Sequence, residues 1–299
     1  MGRIIADLKE AFRRGNIYIQ LIFINVGIFV VGTLINVFLQ LFKYDYSDIF
    51  GIFALPASFY RFIEQPWSIL TYMFMHAGLL HILFNMLWLY WFGNLFLYFF
   101  SAKHLRGLYI LGGIFGGLLY MIAYNVFPLF SQDIAGATLV GASASVLAIV
   151  AATAYREPNY RVQLFLFGAI RLKYLALIVI GIDVLSITSS NAGGHIAHLG
   201  GALAGLWFAA SLSKGTDLTS WINKILDGII ALFQKKTWKR KPKMKVHYSN
   251  TSREKDYDYN ARKKAQSEEV DRILEKLKKS GYESLTTEEK KSLFDASKK

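Results

Sequence analysis

"VGASASVLAIV", residues 140–150, is an apolar run carrying two hydroxyls, Ser143 and Ser145, among Gly141, Ala142, Ala144 and Ala148. A serine on a lipid-facing helix gains nothing, because its hydroxyl gives up water and finds no partner in hydrocarbon. The run therefore reads in one of two ways. Either its small residues let helices pack closely, or a hydroxyl stands ready for chemistry inside a membrane. The choice depends on what else the chain sets at the same depth.

The rest of the chain is that of a membrane protein. Of its 299 residues, 54% are hydrophobic and 18% charged, and mean hydropathy is +0.31, more apolar than an ordinary soluble domain. The net charge of +13 is concentrated after Lys214, and charged residues are sparse between Ile17 and Ser213. Six segments, near 18–42, 79–100, 105–127, 137–155, 172–188 and 194–213, are apolar around their whole circumference and approach the ~20 residues a span requires. Short loops rich in Lys and Arg stay cytoplasmic. Arg13, Arg14, Lys103, Arg106, Arg156, Arg161, Arg171, Lys173 and the basic tail all fall on one side. The predicted topology has both termini cytoplasmic, with the second, fourth and sixth spans running from outside to inside.

Four regions follow from this pattern. Residues 1–16 form a cytoplasmic amphipathic N-terminus, 17–213 a six-helix bundle, 214–245 an amphipathic and polybasic membrane-proximal segment, and 246–299 a cytoplasmic linker with a helical hairpin. The first span is longer than a signal-peptide core and lacks a small-residue cleavage site, so it is expected to be retained. Gly2 lacks the Ser or Thr that N-myristoylation requires. Residues 43–78, rich in Phe and Tyr, form a loop expected to lie partly in the membrane interface. The absence of cysteine excludes disulfides, thiolate catalysis and Cys-based metal sites.

Four of the six histidines lie in two short clusters at the outer ends of spans. "HAGLLHILFN", residues 76–85, holds His76, His81 and Asn85; "GHIAHLGGALAG", residues 194–205, holds His195 and His198. Because the second, fourth and sixth spans run the same way, these groups share a depth with Ser143. His81 and Asn85, at i and i+4, lie on one helix face, as do His198, Gly201 and Gly205 at i, i+3 and i+7. Those glycines, with Gly141 and Ala144, permit the close approach that a Ser–His hydrogen bond demands. Gly112, Gly113, Gly116 and Gly117 make two overlapping GxxxG patterns in the third span, a packing feature.

These motifs, in this order and on these helices, resemble the rhomboid family of intramembrane serine proteases: HxxxxHxxxN in the second span, GxSx in the fourth and AHLxGxxxG in the sixth. The resemblance covers about residues 15–213. It implies an all-α membrane protein, a rhomboid-like bundle of six transmembrane helices with a small helical cytoplasmic tail, in a bacterial inner (plasma) membrane. By position it implies Ser143 as nucleophile and His198 as general base and acid in a Ser-His dyad. His81, Asn85 and the Ser143 backbone N–H would form the oxyanion hole, with His76 supporting it and Gly141, Gly201 and Gly205 packing helices at the site. No cofactor or metal is implied. The implied partners are transmembrane protein substrates whose helix is locally unstable.

Each group also has a plainer reading. A membrane serine usually packs or bonds back to the i−4 carbonyl, which is the expectation for Ser145 and would be for Ser143 without the motif. His195 competes with His198 as the base, but the glycine spacing counts from His198. Asp183 in the fifth span is expected in a hydrogen-bonded structural role near the outer interface rather than as a triad acid, and Asn85 alone could be helix–helix glue. Ser68, Ala144 and Leu147 depart from common family choices, so the first-loop anchor and the platform beneath His198 stay open. A proteolytically dead, binding-only rhomboid-like protein is the alternative; a small-solute transporter is disfavoured because the chain lacks repeated halves.

In the tail, residues 235–245 ("KKTWKRKPKMK") follow the amphipathic stretch Trp221–Phe233 and carry no acid. They are expected to meet anionic lipid headgroups, at about 1 kcal/mol per basic residue, and no nucleic acid. Val270, Ile273, Leu274 and Leu277 form an apolar stripe. Gly281 suits a helix C-cap, and Thr286 with Glu289 a capping box.

Overall fold

The computed structural model describes residues 10, 12, 15–44, 47–164, 168–233 and 250–297. It divides into two compact units, residues 1–235 and 236–299.

The first unit is a bundle of six apolar helices: α1 (Ile17–Leu41), α2 (Leu79–Phe96), α3 (Ala102–Val126), α4 (Ser143–Arg156), α5 (Leu172–Leu185) and α6 (Ala192–Ser213). By length and composition α1, α2, α3 and α6 suffice to cross a membrane. The 14 residues of α4 rise only about 21 Å, against a hydrocarbon core of about 30 Å. The fourth helix expected over 137–155 therefore needs correction. It begins at Ser143, because the residues before it are committed elsewhere. Strand β1 (Leu55–Pro56) pairs antiparallel with β2 (Thr138–Leu139) in the register Leu55↔Leu139. The Ala57 N–H donates to the Ala137 carbonyl at 3.0 Å, and the Gly141 N–H to that of Tyr72 at 2.9 Å. Gly141 then turns the chain at φ +127°, a conformation open to glycine and strained for other residues.

Thus residues 47–78 are a folded element that reaches into the bundle and clamps the approach to α4. Three short helices (Ser47–Phe53, Phe59–Glu64, Ser68–Thr71) build it. Side chains tie it down: Trp67 Nε1 donates to the Ile52 carbonyl (2.9 Å), Thr71 Oγ1 to Phe53 (2.7 Å) and Arg61 to Ala135 (3.0 Å). The Tyr72 hydroxyl donates to the Gly113 carbonyl of α3 at 2.6 Å. Ser68 is wholly buried. Tyr60, Ile63 and Trp67 remain exposed.

Helix α4 is the centre of the bundle. Every residue from Ala144 to Ala154 is buried, and two glycines from each neighbour close on it. A Cβ on Gly116 of α3 would lie 2.5 Å from the Ala144 Cβ, and one on Gly112 would meet the Ala148 Cβ. On the other side, Cβ atoms on Gly201 and Gly205 of α6 would collide with the backbone carbonyl oxygens of Ala144 and Ala148. Ascending numbers on α6 match ascending numbers on α4, while those on α3 descend, so α6 runs parallel to α4 and α3 antiparallel. By contrast α1 is largely exposed, with only Tyr18, Leu21 and Asn25 buried. Asn25 Nδ2 donates to the Tyr109 hydroxyl of α3 at 3.1 Å, a polar contact that fixes α1 where apolar association has no driving force.

Beyond α6, the amphipathic helix α7 (Ser220–Phe233) packs on the base of α3. Arg106 donates to Asp227 Oδ1 (2.7 Å) and to Asn223 Oδ1 (2.8 Å), and Gly107 leaves room for Thr219. Residues 235–245, expected at lipid headgroups, lie outside the described residues, as does nearly all of the N-terminal segment 1–14. In the second unit, α8 (Asn250–Ser280) ends at Gly281, φ +75°, and α9 (Thr287–Ser297) follows. The Thr286–Glu289 capping box forms with both bonds, Thr286 N–H to Glu289 at 2.8 Å and Glu289 N–H to Thr286 Oγ1 at 3.3 Å. Ile273 and Leu285 are buried.

The packing makes a sharp comparison possible. Gly201→Ala is expected to destabilise the bundle by about 1–3 kcal/mol or more, since the added methyl strikes backbone, whereas Gly27→Ala in α1, with open space around it, leaves it near wild type. Thermal melting in detergent checks this; equal midpoints for both variants would refute the close α4–α6 contact.

Candidate active site

Ser143 is the first residue of α4, and no side chain caps the helix at Ala142. The N–H groups of the first turn have no intrahelical partner, and the helix dipole adds partial positive charge there. The half-buried Ser143 side chain thus stands where developing negative charge would be stabilised. Ser145, two residues on and about 200° around the helix, is wholly buried. Its hydroxyl meets Met73 Sδ at 4.0 Å and faces Gly113 of α3.

Opposite Ser143, α2 and α6 contribute the polar groups. Ser143, Asn85 and His198 line one cavity of about 190 Å³, whose other walls include Trp88, Leu147 and Val179. Asn85 is buried and donates one amide hydrogen to the His81 carbonyl at 2.9 Å, leaving its second for a guest. His81 lies beside the serine: a Cβ on Gly141 would fall 2.8 Å from His81 Nε2 and 3.7 Å from Ser143 Oγ. Gly141 is therefore required twice, for its positive φ and for the ring against it. Leu147, buried and lining the cavity, adds an apolar wall.

His76, in the turn before α2, is 5% exposed, and its ring packs edge-on against His81, centroids 5.2 Å apart. Burial pushes its pKa down to about 4; the neighbouring His81 adds to the effect and a backbone contact with Phe74 opposes it.

In α5, Asp183 is buried, and its Oδ1 lies 2.8 Å from Nδ1 of both His195 and His198. Sequence reasoning recognised an ionisable group in a span but did not place it against His198; the distance depends on how α5 packs on α6. These three residues are, among the described residues, a cluster whose donor atoms lie close enough to hold a metal ion, all within 4.8 Å. The 2.8 Å separations are those of hydrogen bonds.

Comparison with known proteins identifies the family. The sequence model of the Rhomboid domain matches residues 63–215, and that stretch contains every group lining the cavity. The chain belongs to the rhomboid family. Residues 253–299 match a family of unknown function, DUF6576. The rhomboid is 31% identical over 157 residues to "RHOMBOID-like protein 12, mitochondrial" of Arabidopsis thaliana, an alignment covering 50% of this chain and 47% of the plant protein. It thus spans about half the length of that relative. Fold class and membrane character follow from family and structure together: this is a helical, multi-pass membrane protein of rhomboid type.

The depressed His76 pKa sets a pH dependence. Below 6.5 the unfolded imidazole binds a proton that the folded one refuses, so stability present at neutral pH is lost as pH falls from 6.5 toward 4, by up to about 1.4 kcal/mol per unit. His76→Phe should remove that component. Detergent melting midpoints at steps from pH 7 to 4 test it, and identical profiles for the two proteins would contradict a buried neutral His76.

Proposed function

We propose that this rhomboid is an intramembrane serine endopeptidase that hydrolyses a peptide bond in or beside another protein's transmembrane segment. The observation that carries the reading is that Ser143, at the uncapped start of α4, lines one cavity with His198 and Asn85. Ser143 Oγ attacks the scissile carbonyl carbon while its proton passes to His198 Nε2. The oxyanion is met by the Ser143 N–H, the free amide hydrogen of Asn85 and His81. The C–N bond then breaks, and His198 returns the proton to the leaving amine. Water, deprotonated by His198, cleaves the resulting acyl ester and restores Ser143. The apolar walls exclude bulk water, which strengthens each of these interactions. A substrate helix must unwind locally to bring an extended peptide to Ser143, so helices weakened by Gly or Pro are the favoured substrates.

The same reading sets the chain in a bacterial inner membrane with both termini cytoplasmic, supported by the one-sided distribution of Lys and Arg; residues 235–245 are assigned to anionic headgroups. Because the protein contains no cysteine, single introduced cysteines report topology directly. Cysteines at positions 16, 104 and 159 should be shielded from an impermeant maleimide in intact cells, and those at 60 and 131 labelled. The reverse pattern would invert the topology.

A fluorophosphonate probe should label the wild-type protein and not Ser143→Ala, and cleavage of a model transmembrane substrate should vanish in Ser143→Ala and His198→Ala. Ser145→Ala should keep most activity. Asn85→Ala should lower turnover by about 10²- to 10³-fold, the usual cost of one oxyanion donor. Absence of labelling in folded wild-type protein would leave the binding-only rhomboid as the reading.

A further inference from the structure

The buried carboxylate of α5 has a job that packing alone does not require. Asp183 directs one oxygen, Oδ1, at the Nδ1 atoms of two imidazoles, each 2.8 Å away, while Oδ2 makes no hydrogen bond among the described residues. An unpaired carboxylate in an apolar bundle is costly; an ionised carboxylate oxygen only accepts, and an imidazole lone pair facing it at 2.8 Å would repel it, so the geometry fits a hydrogen on each Nδ1. A neutral imidazole has a single N–H. With that hydrogen on Nδ1, Nε2 of His198 keeps its lone pair, and this is the nitrogen left to face the cavity shared with Ser143.

We propose that Asp183 is the positioning residue of His198, holding it in the Nδ1–H tautomer and stabilising the imidazolium formed when Nε2 takes the Ser143 proton. This inference rests on the Ser143–His198 reading above. Asp183 stays ionised throughout: the proton moves from Ser143 Oγ to His198 Nε2 and on to the leaving amine, and the Nδ1–H bond to Asp183 is never broken. The relay is thus a serine, a histidine and an aspartate drawn from α4, α6 and α5. His195, one turn earlier on α6 with its ring centroid 5.9 Å from that of His198, shares the carboxylate without reaching the cavity.

The test uses the full-length protein in detergent. Asp183→Asn preserves shape, but its amide can donate to His198 Nδ1 and so favour the wrong tautomer. It is expected to lower kcat by about 10²-fold or more with KM nearly unchanged, and to slow fluorophosphonate labelling in parallel, as removal of an interaction made only in the transition state requires. His195→Gln should keep activity within a few-fold, because the His198 bond survives. Wild-type kcat in a folded Asp183→Asn protein would overturn the proposal. So would equal losses of activity and melting midpoint in Asp183→Asn and His195→Gln, which would make Asp183 a structural clamp between α5 and α6. ¹⁵N NMR of the histidine rings in the wild-type protein decides the matter even if Asp183→Asn does not fold. His198 should show a protonated Nδ1 and an unprotonated Nε2 at neutral pH, unchanged by EDTA. An Nε2–H tautomer, or a spectrum altered by chelation because the three residues hold a metal, would overturn it. Should the probe fail to label wild-type Ser143, the endopeptidase reading itself falls, an outcome distinct from failure of Asp183 alone.

Discussion

The contact of α6 with α4 through Gly201 and Gly205 governs the separations on which the site depends. With no side chain at either position, the backbones come close enough for each glycine to rest on an α4 carbonyl, at Ala144 and Ala148. In a membrane such contact has no hydrophobic driving force, since lipid tails are as apolar as leucine; dispersion between closely fitted surfaces must supply it. Those two α4 residues also receive Gly116 and Gly112 of α3, so one short helix is held from both sides at the same two levels. His198 lies one turn before Gly201, and Ser143 one residue before Ala144. The glycine that fixes the helix separation therefore also fixes how far apart Ser143 and His198 stand.

A second constraint sets the depth of Ser143. A helix of full membrane length would carry its first turn to the surface, where water would satisfy the N–H groups. Here the chain arrives as a strand paired with the first loop, turns at Gly141 and starts its helix inside the bundle. The unpaired N–H groups and the positive end of the dipole are thereby delivered to the apolar cavity, where they act most strongly. The loop of residues 47–78, anchored by backbone carbonyls through Trp67, Thr71 and Arg61, makes that short helix possible.

The polar groups around this start are accommodated in different ways, and both ring nitrogens of His76 are buried without a hydrogen-bond partner. Asn85 bonds its own helix, His76 is kept neutral by burial, and Asp183 takes both α6 histidines. The tail follows different physics. Its helices are bounded by local signals, a left-handed glycine and a reciprocal capping box, with little buried surface between them.

Much of this was legible in the chain. Apolar segments of spanning length, glycine at i, i+4 spacing, the His and Ser motifs and the capping residues of the tail are all local or periodic features. Each acts through the chemistry of a few neighbouring residues, so reading them requires no knowledge of partners. What the tertiary structure alone decided is where non-local partners end the local rules. Residues 137–142 are apolar enough to be helix, yet Thr138 and Leu139 among them pair with Pro56 and Leu55, which no periodicity in either segment announces. Asp183 is a lone carboxylate in an apolar run. Its meeting with His198 depends on the rotation of α5 against α6, a matter of side-chain packing between helices that hydropathy does not encode.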